Sequence, residues 1–542
     1  MRHCIVIIFL LSASAVFSQT SNLPAANWQL MDLQKDSVHG TSVNRAYEEL
    51  LKGKKSHRVI VAVIDVGVDT VHEDLKGHIW TNAKEIPGNG IDDDGNGYID
   101  DVHGWNFLGN KEGKNILTES YESEREYFRL QPVYGLVKDS AGAKSLQLQQ
   151  YDYWLQLKNM RNKDSLLSEK KIVDYTRWST EEHNEDSVFK ISIAKDTLFY
   201  SDIENLKPPD SVCGEMRRRV LADYKNYNIS HSLSFEALLA DDVGVLEKAK
   251  EKIHGFRIDP NAQRRDIIGD DPENIHDRVY GNNDVSAGYQ AHGTHVSGII
   301  AAIRGNGIGM DGIADNVIIM PVRASCDGDE RDKDVALAIR YAVDNGAKVI
   351  NMSFGKPFSP GKEWVDEAVK YAAKKGVLLV HAAGNDAEDA DSIPSYPNAY
   401  FKSHGEKADN LITVGASASS DSFLVAYFSN YGKTVVDIFA PGVAIYSTIP
   451  RNKYERDNGT SMASPVVAGI AALIWSYYPT LTYKQVKYCI EKSATPIDIL
   501  VRKPGTNKKV PFSSLSKTGG IVNAYKAILV ADQLTKKNKQ HA

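Results

Sequence analysis

The sequence predicts an α/β fold with a mostly parallel central sheet, interrupted by a helix-rich insertion. Three observations point there: unbroken apolar runs, helical patterns between them, and one long stretch where that alternation stops. Val59 to Ile64 is apolar and β-branched throughout and ends at Asp65, as a strand buried on both faces of a parallel sheet reads. Similar runs recur at Ile318–Val322, Val349–Met352, Val377–Val380, Leu411–Val414 and Val435–Phe439. Between them, Asp334 to Asn345 carries Val335, Ile339 and Val343 at helical spacing and stops at Gly346. Glu363 to Lys375 repeats the pattern with Val365, Ala368, Val369 and Ala372 and stops at Gly376. Thr482 and Gln485 form a capping box that opens a further helix. Strands and helices alternating at this rhythm define an α/β domain.

Glu112 to Asp277 breaks the rhythm. It is rich in Glu, Lys, Tyr, Gln and Leu, with helix-like stretches around Glu119–Leu130, Ser145–Lys158 and Ser211–Asn226 and a candidate strand at Val188–Ile193. The alternation then resumes, so 112–277 reads as an insertion into one domain built from 19–111 and 278–531. Residues 532–542 form a polar tail expected to fray.

A chain of 542 residues exceeds one ordinary domain. With 42% hydrophobic and 25% charged residues it is globular. The net charge of −6 gives no basic footprint for nucleic acid. Residues 1–18 read as a secretory signal: Arg2 and His3, an apolar run from Cys4 to Leu11, then Ser18 with Val16 two positions earlier. The run is shorter than the roughly 20 residues of a membrane anchor, and no other stretch reads as a span. The mature protein is expected to be secreted or periplasmic. Export leaves Cys213, Cys326 and Cys489, an odd count that allows at most one disulfide. None lies in a CxxC or Cys/His pattern, which argues against a thiolate metal site. Cys489 shares an apolar helical face with Val486 and Ile490 and reads as a small buried hydrophobe.

Three segments bear chemistry. Val63-Ile64-Asp65 ends a buried strand with a carboxylate, at the strand end where α/β folds place their sites. His292-Gly293-Thr294-His295 precedes a helix of small and apolar residues, and Gly459-Thr460-Ser461-Met462-Ala463-Ser464-Pro465 opens another. Acyl transfer needs a nucleophile, a base within hydrogen-bond reach and a group that fixes the base's tautomer. Ser461, His292 and Asp65 supply those three roles. A serine at a helix start also offers its backbone N–H to an oxyanion.

Taken together, VIDVGVD (63–69), HGTHVSG (292–298) and GTSMASP (459–465) resemble the signature blocks of the subtilisin-like protease family. The chain order Asp, His, Ser is that family's order. The resemblance implies a three-layer fold with helices on both faces of the sheet, and serine endopeptidase activity. Ala382-Ala383-Gly384-Asn385 resembles the block whose asparagine completes the oxyanion hole, which makes Asn385 that donor. Asn351 to Gly355 resembles the segment that pairs with extended substrate, so Ser353, Phe354 and Gly355 become one wall of the specificity pocket. The likeness covers roughly 59–107 and 284–527 and omits the insertion. Asp65 and His292 stand 292 − 65 = 227 residues apart, far more than in ordinary members. Only 64 − 18 = 46 residues separate the cleavage point from Asp65, which leaves no room for the family's usual propeptide. Loops on this side of a parallel sheet lie over the strand carboxyl ends, so this insertion is expected to flank the cleft and limit access, with a peripheral surface domain far from the triad as the equal alternative.

Calcium is expected as a structural ion. Asp92, Asp94, Asn96 and Asp100 match positions one, three, five and nine of a calcium loop, with Gly97 at six and His103 at twelve where Glu is usual. An Asp/Asn/Gly turn is the plainer alternative. By the family resemblance, Asp74 and Asn306 belong to a second calcium site, completed by the carbonyls of Arg304, Ile308 and Met310. His381 reads as a packed histidine. Asp386 reads equally as a determinant favouring basic substrate side chains or as a solvated rim carboxylate. The expected protein is a monomeric secreted endopeptidase acting on protein or peptide substrates. A non-catalytic scaffold on the same fold and a narrow processing protease are the alternatives.

Overall fold

The computed structural model describes residues 24–541 except 138–144, 227–233, 257, 289 and 404, so the signal read at 1–18 lies outside the described residues. Those described form two compact units, Ser123–Pro260, and Pro24–Glu122 together with Asn261–Ala542. The division falls inside the 112–277 interval expected for the insertion. Its flanks look polar, but their charges are buried partners of the larger unit. Arg264 is fully buried and holds Asp270 at 2.5 Å and Asp334 at 2.6 Å. Arg331 bridges Glu119 at 2.9 Å and Asn261 at 2.8 Å.

The smaller unit is helical, with α1 Ser145–Ile193, α2 Ser211–Asn226 and α3 Phe235–Gly255. Its core includes Phe189, Cys213, Val220, Tyr224 and Phe235. Val188–Ile193 is not a strand but the end of α1. Glu185 and Phe189, four residues apart, are both buried there, which marks one helical face. Packing against Val220 and Tyr224 overrides the local β preference.

The larger unit is built on nine strands: β1 Val59–Asp65, β2 Trp105–Asn106, β3 Val317–Arg323, β4 Val349–Met352, β5 Leu378–Ala382, β6 Leu411–Ser417, β7 Ile438–Pro441, β10 Thr495–Pro496 and β13 Gly520–Ile521. Two antiparallel hairpins, β8 Ile445–Ile449 with β9 Lys453–Asp457 and β11 Leu500–Arg502 with β12 Lys509–Pro511, stand apart. The sheet order is β10-β13-β7-β6-β5-β4-β1-β3-β2, parallel except for β10 against β13. Five of the six apolar runs read from the sequence fall on strands of this sheet, and of Val435–Phe439 only Ile438 and Phe439 do, the rest belonging to the turn that leads into β7.

Five helices of the unit lie between β2 and β10: α4 Ala291–Ala301, α5 Asp332–Asp344, α6 Lys362–Lys375, α7 Thr460–Tyr477 and α8 Tyr483–Ser493. Successive residues of β1 face opposite ways. Val61 and Val63 pack with Val296 and Ile299 of α4 and Val466 and Ile470 of α7. Ala62 and Ile64 pack with Val335 and Ile339 of α5 and Val365 and Val369 of α6. A strand alternates its side chains across the sheet, so helices cover both faces and the unit has three layers. Ile64 aligns with Met352, and Met352 with His381, so β1, β4 and β5 end along one edge.

Two expectations change. Helix α7 is long and apolar enough to cross a bilayer, yet 89% of it is buried inside the fold. The tail beyond Ala531 continues a final helix, α9 Ala524–His541, steadied by an Asp532–Lys536 pair at 2.7 Å. All three cysteines among the described residues are free.

Candidate active site

Asp65 closes β1, 2% exposed. Its Oδ1 accepts from Nδ1 of His292 at 2.7 Å and from the Val66 amide at 2.8 Å. His292 lies in the first turn of α4, and the approach to β1 requires glycine beside it. A Cβ on Gly293 would sit 2.0 Å from the Gly67 carbonyl oxygen. With Nδ1 donating to Asp65, Nε2 is left as the proton acceptor. Burial disfavours the imidazolium, but the charge and hydrogen bond of Asp65, joined by the charge of Asp457, outweigh it and raise the His292 pKa above 6.5. Its side chain is 33% exposed, so substrate can reach it.

Ser461 opens α7 after Gly459. Its hydroxyl donates to the Ser353 carbonyl at 3.2 Å, and the Ser353 hydroxyl donates back to the Ser461 carbonyl at 2.9 Å. No Ser461–His292 hydrogen bond is present among the described residues. Such bonds commonly tighten only when substrate binds. Ser464 and Asn351 brace the pair from beneath, joined at 2.7 Å.

Asn385 is aimed by Thr460, whose amide and hydroxyl both donate to its Oδ1 at 2.9 Å. That leaves Nδ2 as the free end, beside Gly459. The loop itself is tied by Asn430, which accepts from the Asp386 and Glu388 amides and donates to the Ala383 carbonyl. Gly384 has φ +104°, and a Cβ there would lie 2.4 Å from Asn430 Nδ2. Phe354 and Gly355 follow β4 at the surface, half-buried and exposed. His381 is buried, and its Nε2 donates to the Phe354 carbonyl at 2.8 Å. Burial lowers its pKa to about 4, so it packs as a neutral ring. Asp386 is exposed.

Residues 56–519 match the subtilase family (Peptidase_S8). The chain belongs to the subtilase family. Subtilisin DY of Bacillus licheniformis is 40% identical over 206 residues, 38% of this chain and 70% of that protein. Thermophilic serine proteinase of Bacillus sp. (strain AK1) is 40% identical over 44% of this chain and 52% of its own. Thermitase of Thermoactinomyces vulgaris is 38% identical over 44% of this chain and 74% of its own. The protein is thus a subtilisin-like serine endopeptidase.

This subtilase also gathers carboxylates where calcium is expected. Ligand oxygens of Glu85, Asp92 and Asp94 lie within 4.8 Å of one another. Glu85 has no place in the loop motif and was invisible to it. Asp100 stands outside that trio, its two oxygens accepting from the amides of Gly88, Asn89 and Gly90. Asn96 accepts from the Tyr98 amide and donates to Asp101. At the second location Asp74 is fully buried and held by Asn306 Nδ2 at 2.6 Å. Burial pushes its pKa up against the lowering hydrogen bonds of Asn306 and the Met310 amide. Asn27 joins here: its Oδ1 accepts from the Asp311 amide at 3.3 Å, and it lines a hollow with Gly307, Ile308 and Met310. The sequence offers no local signal linking Asn27 to that loop.

Proposed function

We propose that this subtilase is an exported endopeptidase in which Ser461 is the nucleophile, His292 the base and Asp65 its orienter. The observation that supports this best is the 2.7 Å Asp65–His292 bond, on the same sheet edge as Ser461 and the free amide of Asn385. Ser461 Oγ attacks the scissile carbonyl carbon while its proton passes to His292 Nε2. The resulting oxyanion is met by Asn385 Nδ2 and the Ser461 amide. The C–N bond then breaks, the amine leaves with the Nε2 proton, and water repeats the sequence to free Ser461. Ser353, Phe354 and Gly355 line the substrate's path. Calcium is the structural ion, held by Asp74, Asn306 and Asn27 at one location and by Glu85, Asp92 and Asp94 at the other. Both donor sets are hard oxygens, which suit it. The basic start and short apolar run at 2–11 support secretion or periplasmic residence. A fluorophosphonate probe is expected to label Ser461, and Ser461→Ala to lose both label and peptide hydrolysis. Labelling that persists in Ser461→Ala would remove the assignment.

A further inference from the structure

The β11–β12 hairpin concentrates positive charge on a chain whose net charge is −6. Arg502 lies directly opposite Lys509 in the ladder. The amide of Lys503 donates to the Lys508 carbonyl at 2.8 Å, which brings a second like-charged pair together. Like charges placed opposite one another destabilise a two-stranded ladder, here one held by the packing of Val501 and Val510 against the core. Two of these cations are partly accommodated, Lys503 lying 4.7 Å over the Tyr431 ring and Arg502 5.9 Å over that of Phe423. Arg502, Lys508 and Lys509 are exposed, and none of the four makes an ion pair within 4.0 Å among the described residues.

The hairpin is also fixed in place beside the catalytic loop. At its tip, the Gly505 amide donates to the Tyr427 carbonyl at 3.0 Å. A Cβ at Gly505 would lie 2.9 Å from that of Ala387, two residues beyond Asn385. Phe423, Tyr427 and Leu500 expose apolar surface around it, at 50, 41 and 63%. Asp386 and Glu388 flank the contact with Ala387, so an acidic group close to the scissile bond would be repelled. The Arg502–Lys509 rung stands about three residues, roughly 10 Å, back from the tip, clear of those carboxylates.

We propose that the β11–β12 hairpin is a secondary binding site for an acidic segment of the polypeptide substrate, several residues away from the bond that is cut. The proposal rests on the endopeptidase reading for its substrate and on the opposed cations for its chemistry. An acidic segment relieves the cross-strand repulsion, and the apolar rim adds contact area.

The test uses full-length Ser461→Ala protein and a fluorescent peptide with a Glu-rich flank, compared with its Gln counterpart by anisotropy. At low salt the Glu peptide is expected to bind about five- to tenfold more tightly, the sum of three weak exposed pairs. The preference should vanish near 0.5 M salt and in Arg502→Gln/Lys508→Gln/Lys509→Gln, and survive in the charge-keeping Arg502→Lys/Lys509→Arg. Equal binding of the two peptides, or a preference the triple variant retains, overturns the proposal. So does tighter binding of a single-stranded oligonucleotide of equal charge, which would make the hairpin a general polyanion site. Fluorophosphonate labelling of the unaltered enzyme decides the protease reading separately. Label on Ser461 without any Glu preference removes the hairpin site alone, and a Glu preference without label removes the protease reading alone.

Discussion

At the catalytic residues, the pH dependence follows from which ring form works. In the proposed reaction His292 must be neutral to take the Ser461 proton, and its pKa is raised above 6.5 because the charges of Asp65 and Asp457 outweigh burial. Activity is therefore lost as pH falls through a pKa higher than that of free histidine. Asp457→Asn removes one raising charge and leaves the Asp65 bond in place. Its kcat/KM profile is expected to keep its plateau while the acid limb moves to lower pH. A limb that stays put, or moves up, would show that Asp457 does not act on His292. Asp65→Asn removes charge and tautomer control together, and turnover should fall by about 10⁴. The residues proposed for these roles could be picked out in the sequence because each sits in a contiguous motif. Thr460 and Asn430 could not, because aiming Asn385 links positions 75 and 47 residues apart, and no local pattern encodes such a link.

At the scale of elements, long apolar runs and capped helices were readable, and elements made by tertiary pairing were not. β2, β10 and β13 are two residues each, too short to carry a period. The end of α1 reads as strand until Phe189 is seen packed among the other helices. The 261–277 segment reads as insertion because Arg264, Asp270 and Asp277 look like surface charge, whereas Arg264 ties it to α5. Arg264→Met should cost about 3–5 kcal/mol in urea unfolding, since it leaves Asp270 and Asp334 buried without their partner. A loss under 1 kcal/mol would mean that Lys333, 2.7 Å from Asp270, compensates. The two acidic loops are separable in the same way. Calcium at a hundredfold excess over its Kd should add about 2.7 kcal/mol per site bound only by the native state. Asp74→Ala and Asp94→Ala, each scanned with calcium and with chelator, should each lose part of the shift in Tm. A chelator that leaves the wild-type Tm unchanged would rule out both loops as calcium sites.

At the scale of the molecule, the question is whether the catalytic unit needs the helical one. Each unit has its own core: Phe189, Val220 and Phe235 belong to one, and β1, α4 and α7 to the other. The larger unit also holds both ends of the excursion, since a single guanidinium, that of Arg331, meets Glu119 before it and Asn261 after it. Lys356 adds a buried bond to Glu122 at 2.6 Å. The two ends are therefore close enough for a short linker, and bridging them costs little closure entropy. Replacing Ser123–Pro260 with a Gly/Ser linker should leave a folded, fluorophosphonate-reactive protein. Cutting at 112 and 277 instead removes Glu119, Asn261 and Arg264 and should cost most of the soluble yield. If the shorter excision fails to fold while a control with only loop substitutions succeeds, the helical unit assists folding of the catalytic one. Where it does fold, rates on two substrates test the gating expected from the sequence. Faster cleavage of a folded protein with an unchanged rate on a short peptide is what a gate predicts, and equal rates on both substrates would reject it.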